Sequence, residues 1–289
     1  KEKLDKVLFI IISKSGNTVE TLSNLFSLDI LKKKPNNIII ITEKKESALF
    51  NLAKKLKLHF VEHNPNIGGR YSVLSEVGIL PAYLMGVNIS KLRKNILNFL
   101  NKDNLKFLQE STIKLSCLMN SKKIKNIIFL NYSPEMEKFL LWCQQLIAES
   151  LGKKGKGFFP VISSVPKDHH SLLQLYLDGP KDKIFHIFSL KEKSSTKLNI
   201  KKFKIKNFLD KKNIHKIKDA QKDALIKTLN ENQIPFREFR IKNLSEETLG
   251  ELFAYFIMET ILIGKTNLIN PFNQPAVEKV KIYTKKLLS

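Results

Sequence analysis

Apolar positions follow two rhythms along the 289-residue chain. Short unbroken runs of aliphatic or aromatic residues stand at 7–12, 37–42, 124–130, 158–163, 182–190 and 236–241. Such runs lack polar alternation and predict strands covered on both faces, as in a parallel sheet. Between them, apolar residues recur at helical spacing over 18–33, 46–56, 71–85, 103–119, 135–151, 217–230 and 246–264. A last helix is predicted over 275–288, with Pro275 at its first position, where the missing N–H costs nothing. Strand–helix alternation of this kind predicts an α/β fold with parallel sheets and helices on both faces. Residues 88–122 carry helical patterns without a strand, so they are expected to bridge two sheets. The length accommodates one or two domains, and no internal repeat is evident.

Composition changes this picture little, and charge somewhat more. The formal net charge is +23, which raises nucleic-acid binding as a function class. Two features weigh against it. Only Arg70, Arg93, Arg237 and Arg240 among the 50 basic residues are arginine, whereas planar bidentate recognition of phosphates and bases favours Arg. The lysines are also spread through every segment. Their densest block, 191–206, is expected to be a solvated loop. Cys117 and Cys143 show no metal spacing and are expected to be reduced. No signal peptide is expected from the opening residues. The longest apolar helix candidate, 252–263, is about half a membrane span and carries Glu259, so a core helix in a cytoplasmic protein is predicted.

Five stretches carry candidate chemistry. In FIIISKSGNTVETLSN (9–24), a strand leaves through Ser13-Lys14-Ser15-Gly16-Asn17-Thr18 and enters a helix. That turn aims backbone N–H groups and hydroxyls out of a helix N-terminus, which suits an anion, phosphate above all. It is equally an ordinary turn with Asn17 as N-cap and Glu20 closing a capping box. In Gly68-Gly69-Arg70-Tyr71-Ser72, two glycines free the backbone before a helix, at the only Arg of the first 92 residues; Arg70 is either functional or an exposed helix start. In WCQQLIAES (142–150), Trp142, Gln145 and Glu149 share a helical face. A carboxylate there suits a general base, and an i,i+4 hydrogen bond on a solvated face suits the spacing as well. Asp168-His169-His170 lacks the further ligands a metal site needs; proton transfer by one imidazole or a plain surface pair both fit. In NPFNQPAVEKVK (270–281), Gln274 precedes the helix and Lys281 lies two turns in, nearly on the same side.

In series, SKSGNTVET, GGRYSV, QQLIAESLGKKGKG, HSLLQLYLDGP and NPFNQPAVE resemble signature segments of the glucose-6-phosphate isomerase family over nearly the whole chain. The resemblance implies two sugar-isomerase domains, each a doubly wound five-stranded parallel sheet. Here they would occupy 1–91 and 92–265, followed by a C-terminal active-site helix at 266–289. It implies cofactor-free and metal-free interconversion of glucose 6-phosphate and fructose 6-phosphate, a step of glycolysis and gluconeogenesis, through a cis-enediolate. By the same resemblance Ser13, Lys14, Ser15 and Thr18 line the phosphate site, and Gln145 and Gln274 contact the sugar. Glu149 is the base, Arg70 the cation beside the enediolate, and His170 with Lys281 opens the ring. Glu20 orients the histidine. A homodimer is implied, with His170 supplied across the interface, and neither nucleic acid nor membrane as partner. The chain departs from the family pattern in opening on Lys1 without the upstream Gly-rich segment, so an N-terminally incomplete first domain is expected. Ala276 and Val280 stand where Gly is usual, and His169 where Gln is usual. A phosphosugar-binding module without turnover would need the phosphate loop but not Glu149, His170 and Lys281 together. Activity toward mannose 6-phosphate as well is the variant reading within the enzyme class.

Overall fold

The computed structural model describes residues 4–28, 30–31, 36–191, 196–200, 203 and 207–288. The chain divides into two compact units, Lys1–Lys94 and Asn95–Ser289.

In the first unit, β1 (Phe9–Ile12), β2 (Ile38–Thr42) and β3 (His59–Glu62) form a parallel sheet in sequential order. The register pairs Phe9 with Ile38 and Ile39 with His59. Two crossovers running in one direction, both right-handed, put their helices on one face. Accordingly α1 (Val19–Ser27) and α2 (Ala48–Leu56) share a core in which Leu25, Ile38, Ile40, Leu49 and Ala53 are buried. Each fully buried Leu there contributes roughly 2 kcal/mol. Three expectations are corrected. β1 is not covered on both faces: all four of its residues are half-buried, because among the described strands it pairs with β2 alone. β3 was not anticipated; His59 and Glu62 flank only two apolar residues, so no run is visible. The 71–85 pattern is broken by the extended backbone of Ser75 into a 3-10 turn, Gly69–Leu74, and α3 (Glu76–Leu84). A short α4 (Ile89–Lys94) follows. Residues 29 and 32–33, part of the predicted 18–33 helix, lie outside the described residues.

The second unit opens with α5 (Lys102–Ser121). Then come β4 (Asn126–Asn131), α6 (Glu137–Leu151), β5 (Phe159–Ser164), α7 (Leu173–Asp178), β6 (Lys183–Leu190), α8 (Ile214–Glu231), β7 (Phe236–Ile241) and α9 (Glu246–Thr266). The sheet is parallel throughout, in the order β5-β4-β6-β7. Reversal of direction at β4 distributes helices over both faces. On one face Ile128, Leu130, Phe185 and Ile187 pack with Leu225 and Leu229 of α8 and Tyr176 of α7. On the other, Phe129, Phe188 and Phe239 meet Phe139 of α6 and Phe256 of α9, with Phe188 and Phe239 stacked at 4.6 Å and 9°. The described residues thus give sheets of three and four strands where the resemblance implies five in each. Most of the Lys-rich block (192–195, 201–202, 204–206) lies outside the described residues; within it Lys197 bridges Asn213. The terminal helix starts later than predicted: Pro275–Val277 form a 3-10 turn before α10 (Glu278–Leu288). Cys117 is exposed and Cys143 buried, both as free thiols. No helix among the described residues is long and apolar enough to cross a membrane.

Candidate active site

The turn after β1 is built by glycine and by cross-links to its neighbours. Gly16 has φ +68°, in the left-handed region. A Cβ there would lie 2.2 Å from Ser47 Oγ and 2.9 Å from Thr42 Oγ1, so only Gly lets this turn nest against the one that starts α2. The Gly16 carbonyl accepts from Leu49 N at 3.0 Å. Across the turn Ser13 Oγ and Thr18 Oγ1 are 2.7 Å apart; Ser13 is buried, while Ser15 and Thr18 are exposed. The capping-box expectation is corrected. Thr18, not Asn17, is the N-cap of α1, and its side chain makes no cap hydrogen bond. The Asn17 Oδ1 instead accepts from Ala48 N at 2.9 Å, because the left-handed Gly16 turns it toward α2. Glu20 sits exposed in the first turn of α1. The arrangement leaves the N-terminal N–H groups of α1 beside two hydroxyls and without a cap from Thr18, a geometry that accepts an anion.

Lys14 belongs to a polar network that sequence reasoning did not find. Its Nζ donates to the carbonyls of Pro65 (2.8 Å) and Ile67 (2.9 Å) and lies 3.6 Å from Glu43. Glu43 is buried and also pairs with Lys45. The accepting carbonyls belong to the segment that leads from β3 to Arg70. Arg70 itself is buried, which removes the exposed-helix-start alternative. Its guanidinium carbon lies 5.2 Å from the Tyr71 ring centroid. Neither Gly68, at φ −70°, nor Gly69 takes a positive φ, so the pair is not there for left-handed backbone. Beside this segment His63, fully buried, bonds to Ile67 and Glu76.

In the second unit α6 carries Gln145 and Glu149 one turn apart, and Gln145 Nε2 donates to Glu149 Oε1 at 2.9 Å. The i,i+4 bond foreseen from spacing is therefore formed, with Gln145 exposed and Glu149 half-buried. Beyond α6, Lys153 Nζ donates to Ser150 O (2.9 Å) and Asn270 O (2.6 Å). This ties the end of the Glu149 helix to the turn leading to Gln274. Lys281, in the first turn of α10, pairs with Glu278 at 2.8 Å, both side chains more than half exposed. The Gln274–Lys281 relation is thus altered, since a 3-10 turn intervenes. His170 is exposed after β5. Its neighbours are committed: Asp168 Oδ2 accepts from Ser163 Oγ (3.0 Å) and Ser164 N (2.8 Å), and His169 Nε2 meets the Tyr132 hydroxyl at 3.0 Å. Burial, and then His170, holds the His169 imidazole below its usual range. No group of three or more His, Cys, Asp or Glu among the described residues is arranged to hold a metal. The predicted residues thus form two sets, Ser13 to Arg70 in the first unit and Gln145 to Lys281 in the second.

No family model matches the chain. Individual relatives do. A probable glucose-6-phosphate isomerase of Methanococcus maripaludis is 35% identical over 98% of this chain and 65% of its own length. The glucose-6-phosphate isomerase of Methanocaldococcus jannaschii is 32% identical over 97% of this chain and 71% of its own. A solved glucose-6-phosphate isomerase from Chlamydia trachomatis superposes with a TM-score of 0.78 over 100% of this chain and 60% of that one, at 17% identity, a likeness of fold alone. The chain therefore spans about two thirds of the length of these curated relatives. Identity of 32% over nearly the whole chain, to a relative of which it covers more than two thirds, makes it a member of the glucose-6-phosphate isomerase family.

Proposed function

We propose that the protein interconverts glucose 6-phosphate and fructose 6-phosphate. The observation that carries this is the β1–α1 turn, where two hydroxyls and an uncapped helix N-terminus offer a phosphate its donors. In this reading Ser13, Lys14, Ser15 and Thr18 hold the phosphate, and Gln145 and Gln274 contact the sugar. His170 and Lys281 open the ring, with Glu20 orienting the imidazole. Glu149 moves a proton between C1 and C2; a carboxylate can take it from one carbon and return it to the other without leaving the site. Arg70 stabilises the enediolate electrostatically and needs no proton transfer of its own. The protein acts in the cytoplasm as a homodimer whose His170 serves the neighbouring subunit, and its chain comprises a first domain (1–91), a second (92–265) and a terminal helix (266–289).

The test is a coupled assay of fructose 6-phosphate conversion by the full-length protein, with Glu149→Gln beside it. Turnover that falls on the order of 10²–10⁴-fold in the variant, at little change in KM, is expected. Binding of the sugar phosphate without turnover by the unaltered protein would make it a phosphosugar-binding module instead. Turnover retained by Glu149→Gln would remove Glu149 as the base.

A further inference from the structure

The side chain of His63, at the end of β3, is 1% exposed, yet it meets two acceptors. Its Nε2 lies 3.0 Å from the Ile67 carbonyl, and its Nδ1 bonds to Glu76 Oε1 at the start of α3. A carbonyl can only accept, so Nε2 carries a proton. Burial pushes the Glu76 carboxyl up, but the bond from His63 and backbone donors at Glu76 and Asn64 bring it below the usual carboxylate range. With Nδ1 on the Glu76 carboxyl, the one ring bridges the Ile67 carbonyl and the start of α3.

The segment between these bonds is short. Ile67 N donates to Asn64 O (3.1 Å), Asn66 N to Asn64 Oδ1 (2.9 Å) and Tyr71 N to Gly68 O (2.9 Å), two successive turns, the second of which holds Arg70. The Ile67 carbonyl is the point where the segment is fastened: His63 donates to it from β3, and Lys14, of the turn after β1, donates to it at 2.9 Å. We propose that His63 is a positioning residue, a strut between Ile67 and Glu76 that fixes the segment presenting Arg70. The inference rests on the role assigned to Arg70 above. Lys14 keeps its bonds to Pro65 and Ile67 when His63 is removed, so phosphate affinity survives while the cation loses its register.

His63→Leu, which fills the volume and removes both donors, tests this in the full-length protein. A fall in kcat for fructose 6-phosphate of about 10–100-fold with KM within about threefold is expected, since misplacement by about 1 Å costs that much. Glu76→Gln in the His63→Leu background should cost little more, because the pair acts as a unit. One readout does not depend on turnover. Hydrogen exchange at Ile67–Tyr71 should speed about tenfold in His63→Leu while β2 stays protected. Undiminished kcat, or a loss shared by KM with protection falling throughout the unit, would reduce His63 to a packing residue. Should the unaltered protein not turn over fructose 6-phosphate, the isomerase reading fails, and unchanged exchange at 67–71 in His63→Leu would still overturn the strut.

Discussion

Glu259 illustrates what a carboxylate needs in order to sit in a core. It is 2% exposed, and its oxygens accept from Arg237 Nη1 (2.5 Å) and Nη2 (2.8 Å), Ser111 Oγ (2.7 Å) and the Tyr255 hydroxyl (2.8 Å). Burial pushes its carboxyl up, and Arg237 with the two hydroxyls outweighs that, leaving it below the usual range. A depressed carboxyl stabilises the fold above the unfolded value of about 4.3 and loses that contribution as pH falls through the folded value. Glu259→Gln strands the Arg237 charge and should destabilise the second unit by about 3–5 kcal/mol at pH 7. Denaturant unfolding should show the gap to the unaltered protein narrowing as pH falls below the unfolded value of about 4.3 toward the depressed folded one; a gap independent of pH would refute the assignment. None of this was legible in sequence, where Glu259 was a charged residue in an apolar helix and Arg237 one of four arginines. The pair joins β7 to α9 across 22 positions, and spacing rules reach only a few residues. The hydroxyls of Ser13 and Thr18 were legible because both lie on one turn. His63 was not, since β3 has no visible run to announce it.

At the scale of elements, the strand–helix rhythm was legible nearly throughout, because an aliphatic run and a 3.6-residue period are local properties. Breaks were not. Ser75 divides Gly69–Leu84 by adopting extended backbone, and a 3-10 turn sets Gln274 and Lys281 apart, neither with a Gly at the break to signal it. The packing of turn against turn was equally hidden. Gly16 promised a turn, but its partner Ser47 lies 31 residues on. Gly16→Ala should therefore destabilise the first unit by about 2–4 kcal/mol, from left-handed backbone together with overpacking. Ser47→Gly in that background removes the Ser47 clash but leaves the Thr42 contact and the backbone strain and gives up the Ser47 cap of α2, so it should restore only about 1 kcal/mol. Denaturant midpoints of the three variants measure both; a Gly16→Ala cost below about 0.5 kcal/mol would mean that the two turns are not interlocked.

At the scale of the molecule, the family was legible because five motifs stand in order along the chain, and the relatives bear it out. The net charge of +23 pointed elsewhere and is better understood through β1. Phe9 N donates to Asn37 O and Ser13 N to Ile41 O, so the alternation of the ladder turns the Ile10 and Ile12 N–H groups away from β2. Two half-buried isoleucines there border an edge that no described strand covers. In colloidal terms such an edge, where bare, is a sticky rim carried on a highly charged particle, dispersed by repulsion that acts over about 8 Å at physiological ionic strength and only about 3 Å at 1 M. Light scattering should register association rising with salt, the reverse of what ion-paired complexes do. Ile10→Pro, which deletes an edge donor, should keep the solution clear at 1 M salt. Dispersion at every ionic strength would show the rim to be covered. Where it is bare, the lysines scattered along this chain act as its stabiliser against flocculation.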